Sequence, residues 1–118
     1  MRIAIIGSRN LTINNLEDYM PREVTEIVSG GAVGVDSSAR EYAERNNIKL
    51  TEFLPKYSEF GRSAPLKRNL QIIEYCDCVM AFWDGKSRGT KFTIDNAIKI
   101  KKKVTVLIYK NGTFEKML

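Results

Sequence analysis

The chain has 118 residues, 43% of them hydrophobic and 28% charged, with a formal net charge of +5. That length supports one domain with a single core and leaves little room for a second, and the composition is that of an ordinary soluble globular protein. No apolar run approaches the roughly 20 residues of a membrane span, and the absence of histidine removes imidazole-based acid–base catalysis and most metal sites.

RIAIIG (2–7) is a short, continuously apolar run ending in glycine and reads as a buried strand, too short for the core of a signal peptide. Residues 14–21 predict a short helix closed by Pro21, and VTEIVSGG (24–31) a second strand. From Asp36 to Asn46, Ala39, Tyr42 and Ala43 recur at helical spacing. Asp36, Ser37 or Ser38 can cap that helix, and Ser38 with Glu41 has capping-box spacing. KLTEFL (49–54) is a third strand, and residues 55–64 are a loop. Pro65 opens a helix with Leu66, Leu70 and Ile73 on one face. CVMAFW (78–83) is a fourth, wholly apolar strand, followed by the loop DGKSRGT (84–90). A helix to about Lys101 carries Ile94, Ala97 and Ile98 inward, KVTVLIY (103–109) is the last strand, and the tail NGTFEKML forms a turn and a short extra element.

Strands that are apolar throughout, alternating with helices, indicate a parallel sheet covered on both faces. The expected fold is a single α/β, Rossmann-like domain spanning 1–118, with a five-stranded parallel sheet of order 3-2-1-4-5 and helices on both faces. The switch point then falls between the first and fourth strands, and ligands of such sheets bind at the carboxyl ends of the strands there.

Charge is uneven. Residues 1–59 hold seven Lys/Arg against nine Asp/Glu, a net of −2, and residues 60–118 hold twelve against five, a net of +7. A basic half fits an anionic partner, although the Lys101–Lys103 run at a helix end reads as a solvated face suited to the helix dipole. Cys76 and Cys78 are too close in sequence for an unstrained bridge and too few for a zinc site, which points to a reducing, cytoplasmic setting.

Three loops leave the expected carboxyl edge: GSRN, SGGAVGVD and DGKSRGT. Two lead straight into helix N-termini, whose unpaired amides and partial positive charge suit a phosphate. Glycine lets a group approach the backbone with no Cβ in the way, so Gly30, Gly31 and Gly34 read as cleared space. Ser8, Ser29, Ser87 and Thr90 add hydroxyls, and Arg9, Arg68 and Arg88 add forked cationic donors. Asp36 and Asp84 are the acids near this edge, the first most economically a helix cap, the second a turn cap or a ribose ligand; they are also the candidates for acid–base work. Neither a P-loop nor a dinucleotide fingerprint is present: the place of the first P-loop glycine is Met80, and GSRNLT holds one glycine. Trp83 reads as core, with Tyr57 and Phe60 better placed to stack on a base.

In order, GSR (7–9), VSGGAVGVD (28–36), LKRN (66–69), DCVMAFWDG (77–85) and SRGT (87–90) resemble the SLOG superfamily, which includes DprA (Smf), the Lonely Guy phosphoribohydrolases and the small YspA/YpsA-related proteins. The single-domain YspA/YpsA-related branch is the nearest in pattern. The resemblance implies a nucleotide-binding fold, usually dimeric. It implies that Gly7, Ser8 and Arg9 line one side of a pocket and that Ser29, Gly30, Gly31 and Ala32 form its floor, with Asp36 fixing that loop to its helix. Arg68 and Asn69 would project inward, and Gly89 and Thr90 would hold a phosphate; Asp84, Gly85 and Ser87 join the candidate binding residues from the reading of the DGKSRGT loop itself. The phosphoribohydrolase signature PGG-x-GT-x-x-E has its glutamate at a place held here by Thr93. The expected function is therefore binding of a nucleotide or an ADP-ribose-like ligand, as a sensor, with no metal. A nucleotide hydrolase cleaving an N-glycosidic or phosphoester bond is the second reading, and single-stranded DNA binding the third.

Overall fold

In a computed structural model describing residues 1–118, the apolar runs lie side by side as parallel strands. They are β1 (Arg2–Gly7), β2 (Glu26–Ser29), β3 (Lys49–Glu52), β4 (Cys78–Trp83) and β5 (Lys103–Lys110), in spatial order β3-β2-β1-β4-β5. The sheet has six strands rather than the expected five, because β6 (Thr113–Lys116) folds back antiparallel on β5. Its turn is Asn111–Gly112, with φ of 50° and 84°, the paired positive φ that makes Asn-Gly a hairpin signal.

The helices are α1 (Val35–Arg45), the single turn α2 (Tyr57–Phe60), α3 (Ala64–Tyr75) and α4 (Arg88–Lys99). After Arg2, the two central strands are apolar because both faces are covered. Ile3 and Ile5 of β1 meet Ala39, Tyr42 and Ala43 of α1. Ala4 and Ile6 meet Ile72 and Ile73 of α3 and Ile94 and Ala97 of α4.

Several local expectations give way to tertiary contacts. The helix expected at 14–21 is one 3-10 turn, Leu16–Asp18. Buried Leu11, Ile13 and Leu16 instead plug the core beside α1 from an irregular segment. The α1 N-cap is Gly34, and no side chain caps it. Ser38 lies inside the helix, where its hydroxyl accepts from the Ile13 amide at 2.9 Å and donates to the Gly34 carbonyl at 3.4 Å, so the Ser38–Glu41 capping box does not form. The 55–64 segment contains α2 and a 3-10 turn rather than plain loop. The inward face of α3 is Ala64, Arg68, Ile72 and Ile73, rotated from the expected stripe, and Leu66 is exposed. Ile98 of α4 is likewise exposed rather than inward.

At the end of the sheet where the strands begin, Glu26 is 6% exposed. Its Oε2 accepts from the Thr51 and Tyr75 hydroxyls, both at 2.7 Å, and its Oε1 lies 3.7 Å from Arg2 Nε and 3.6 Å from Lys49 Nζ. Burial pushes the carboxyl up, but the two hydroxyls and two cations outweigh it and hold the pKa below its ordinary value. A carboxylate held low when folded contributes stability above its unfolded pKa and loses it as pH falls through the folded one. Between about pH 5 and about pH 3, the urea midpoint of the wild type should fall more steeply than that of Glu26→Gln. Parallel pH profiles would show that Glu26 is not a source of the acid sensitivity.

Candidate functional site

At the switch point, β1 and β4 pair in parallel with Gly7 beside Phe82, and the chain leaves their ends toward opposite flanks. The gap between those loops is a crevice of about 530 Å³. Its walls come from the loop after β1, the β2–α1 loop, the first turns of α3, and the β4–α4 loop.

The β4–α4 loop is braced from within. Ser8 is 1% exposed, and its Oγ accepts from the Asp84 amide at 3.1 Å and meets Ser87 Oγ at 3.0 Å. Asp84 Oδ1 accepts from the amides of Lys86 at 2.8 Å and Ser87 at 2.7 Å. Burial raises the Asp84 pKa, but the amides of Ser87 and Lys86 and the neighbouring serine hydroxyls prevail, holding it below its ordinary value. Trp83 Nε1 donates to the Ser87 carbonyl at 3.1 Å, so the indole, packed on the core, also fixes the loop.

This bracing leaves the start of α4 open. The Ser87 side chain points to Ser8 and does not cap the helix. The first helical bond runs from the Lys91 amide to the Ser87 carbonyl, so the amides of Arg88, Gly89 and Thr90 have no acceptor in the protein. The Thr90 hydroxyl also makes no hydrogen bond, whereas Thr93 Oγ1 donates to the Gly89 carbonyl at 2.9 Å. A Cβ built on Gly89 meets no atom within 4 Å. Gly89 therefore faces open crevice.

The opposite wall is organised by Arg68, which is 6% exposed. Its Nη1 donates to the carbonyls of Gly30 and Phe53, and its Nε to Asn69 Oδ1 at 2.8 Å. Burial disfavours the charged form and lowers its pKa, opposed by Asp36, while Arg9 adds to the lowering. Asp36, 8% exposed, accepts from the Ala32 amide at 3.0 Å through Oδ2. Burial raises its pKa against the stabilising effects of Ala32 and Arg68. The Ser29 hydroxyl lies close by, fully buried, without closing a hydrogen bond to any group.

The glycines of this wall have protein neighbours. A Cβ on Gly30 would lie 2.8 Å from Arg68 Cζ and 3.0 Å from Asp36 Oδ2. Gly34 has φ +76°, and a side chain there would overlap the Arg9 main chain. Gly31 packs under Leu54. The space read from the sequence as cleared at these three positions is filled by the protein's own Arg68, Arg9 backbone and Leu54.

The residues singled out from sequence gather here: Gly7, Ser8, Arg9, Gly30, Ala32, Asp36, Arg68, Asn69, Asp84, Ser87, Gly89 and Thr90 all line the crevice. Ser29 lies beneath the floor, Gly31 against Leu54, and Gly85 on the far side of its loop beside Ile108. Asn10, Pro65 and Leu66 also line it: Asn10 and Leu66 fall within the GSRN and LKRN motifs without being singled out as site residues, and Pro65 reads from sequence as a helix start. Tyr57 and Phe60 are not among the lining residues. The Lys101–Lys103 run lies at the opposite end of the sheet from the crevice; Lys101 and Lys103 are exposed, but Lys102 is half-buried and donates to the Cys76 carbonyl at 2.6 Å rather than facing solvent. No group of three or more Cys, Asp or Glu side chains is arranged to hold a metal ion. No family model, curated protein or solved structure matches the chain.

Removing Arg68 strands two carbonyls and leaves Asp36 without its counter-charge. Arg68→Ala should cost about 2–4 kcal/mol, measured as a lowered urea midpoint with unchanged slope. A loss under about 0.5 kcal/mol would mean that the guanidinium does not organise this wall.

Proposed function

We propose that the crevice binds a nucleotide or nucleotide-derived ligand, with its phosphate at the start of α4. One observation carries this reading: three amides, of Arg88, Gly89 and Thr90, and the Thr90 hydroxyl have no partner in the protein and border the crevice, beside a glycine whose Cβ position is empty. Helix N-termini offer such amides together with the positive end of the macrodipole. The exposed side chains of Arg9 and Arg88 line the same crevice and supply planar donors suited to phosphate oxygens. Membership of the SLOG superfamily, the homodimer that goes with it and a cytoplasmic setting belong to this proposal and rest on the order of the motifs and the reduced cysteines.

Binding is favoured over turnover. At the place of the phosphoribohydrolase glutamate, Thr93 spends its hydroxyl on the Gly89 carbonyl. Asp84 accepts two backbone amides and is held ionised at lower pH than usual, the opposite of what a general acid needs. Single-stranded DNA binding through the basic second half ranks third, because Tyr57 and Phe60, the aromatic side chains best suited to stack on bases, do not line the crevice.

Gly89→Val tests the site with little structural penalty, since its Cβ meets nothing. The variant should melt within about 3 °C of wild type. Its affinity for a nucleoside monophosphate, measured by titration calorimetry, should fall at least about ten-fold. Undiminished binding would remove the α4 N-terminus from the site.

A further inference from the structure

A serine stands at the N-cap of α4, where serine ordinarily turns its hydroxyl back to accept the amide of the second or third helical residue. The backbone of Ser87 is set for that role. Its φ of −57° and ψ of 118° lie outside the helical region. Its amide donates to Asp84 Oδ1, and its carbonyl accepts from the Lys91 amide and from Trp83 Nε1. Only the side chain departs from the pattern. Ser87 Oγ donates to Ser8 Oγ at 3.0 Å, and no side chain caps the helix.

Ser8 is a fixed partner for that hydroxyl. It is almost wholly buried, and its main chain is held on both sides. Its amide donates to the Phe82 carbonyl at 3.1 Å, and its carbonyl accepts from the amides of Leu11 at 3.3 Å and Val35 at 3.4 Å. Its Oγ also accepts from the Asp84 amide at 3.1 Å. A buried partner that is already ordered loses little freedom on bonding. A hydrogen bond to it is of the same order as a first-turn cap, so the two compete for one side chain.

The outcome of that competition sets what α4 presents to the crevice. Of the five successive amides from Lys86 to Thr90, Asp84 takes the first two, and the last three stay free. The Thr90 side chain points to the same use. The residue lines the crevice and is more than nine-tenths buried. Its hydroxyl has no partner but is not sealed in, Ser29 Oγ being the one fully buried side-chain polar atom without a partner.

We propose that Ser8 is a positioning residue: by holding the Ser87 hydroxyl, it keeps α4 from capping itself and so leaves the first-turn amides free for an anion. The inference rests on the α4 phosphate reading and gives Ser8 a role toward the loop rather than toward the ligand. Loss of the Ser8 hydroxyl releases Ser87 to cap, and an incoming phosphate then has to displace that cap.

The test compares wild type, Ser8→Ala, Ser87→Ala and the double variant by amide hydrogen exchange at Thr90 and by titration with inorganic phosphate. Without phosphate, the Thr90 amide should exchange about five-fold more slowly in Ser8→Ala than in wild type and return to the wild-type rate in the double variant. Phosphate affinity should fall about five-fold in Ser8→Ala and recover to within about two-fold of wild type in the double variant. A merely structural role for Ser8 predicts no recovery, because the Asp84 amide lacks its acceptor in both. Unslowed exchange in Ser8→Ala, or a loss of affinity that persists in the double variant, overturns the proposal. If Ser8→Ala does not fold, Ser87→Ala decides. An unchanged Thr90 rate supports the proposal, and faster exchange shows that Ser87 already caps in wild type and overturns it. Phosphate without effect on the Arg88, Gly89 and Thr90 amides of wild type removes the anion reading, while the exchange rates still decide which partner Ser87 takes.

Discussion

A buried guanidinium holds the crevice in shape. Arg68 sits at a position of α3 that faces the interior, between Ala64 and Ile72, and takes its charge out of water. Such burial is tolerated only where hydrogen bonds and a counter-charge offset the desolvation. The carbonyls of Gly30 and Phe53 and the Asn69 side chain supply the bonds, and Asp36 supplies the charge. In return Arg68 ties α3 to the end of β2 and the exit of β3, two strands already paired in the sheet. Gly30 follows from this: any side chain there would strike the guanidinium.

The glycine-rich loops divide their labour. Around Arg68 and Arg9, glycine lets protein pack against protein, with Gly34 in a backbone region that other residues enter only under strain. Around Gly89, glycine faces nothing. Loops of similar composition are thus closed on one side of the crevice and open on the other. The open side adjoins the free amides of α4, while the closed side carries Asp36. This asymmetry gives the pocket a direction, with free amides at one end and a carboxylate at the other.

Much of this architecture was legible in the sequence. Apolar runs such as RIAIIG and CVMAFW are unambiguous in a sheet covered on both faces, and their alternation with helices constrains the strand order. The strand Thr113–Lys116 was harder, because its residues are mostly exposed and only Asn111–Gly112 marks its turn. The apolar stripe of α3 differs from the one hydrophobic periodicity gives, because the buried face runs through Arg68, whose inward place follows from the resemblance and not from hydropathy, and Leu66 is left exposed. The capping of α1 was misread for a related reason: Ser38 serves Ile13, a residue remote in the chain, and a contact of that kind leaves no local signature. Likewise the gathering of the site residues followed from topology, while the purpose of each glycine depended on which side chain arrives from elsewhere.

The claim that an anion lies at the start of α4 is tested most directly by amide chemical-shift mapping during titration with a nucleoside monophosphate. The largest shifts are expected at Arg88, Gly89 and Thr90, with smaller ones along the β2–α1 loop, saturating together. Shifts centred on Lys101–Lys103, or no shift at the α4 amides at saturating ligand, would contradict it.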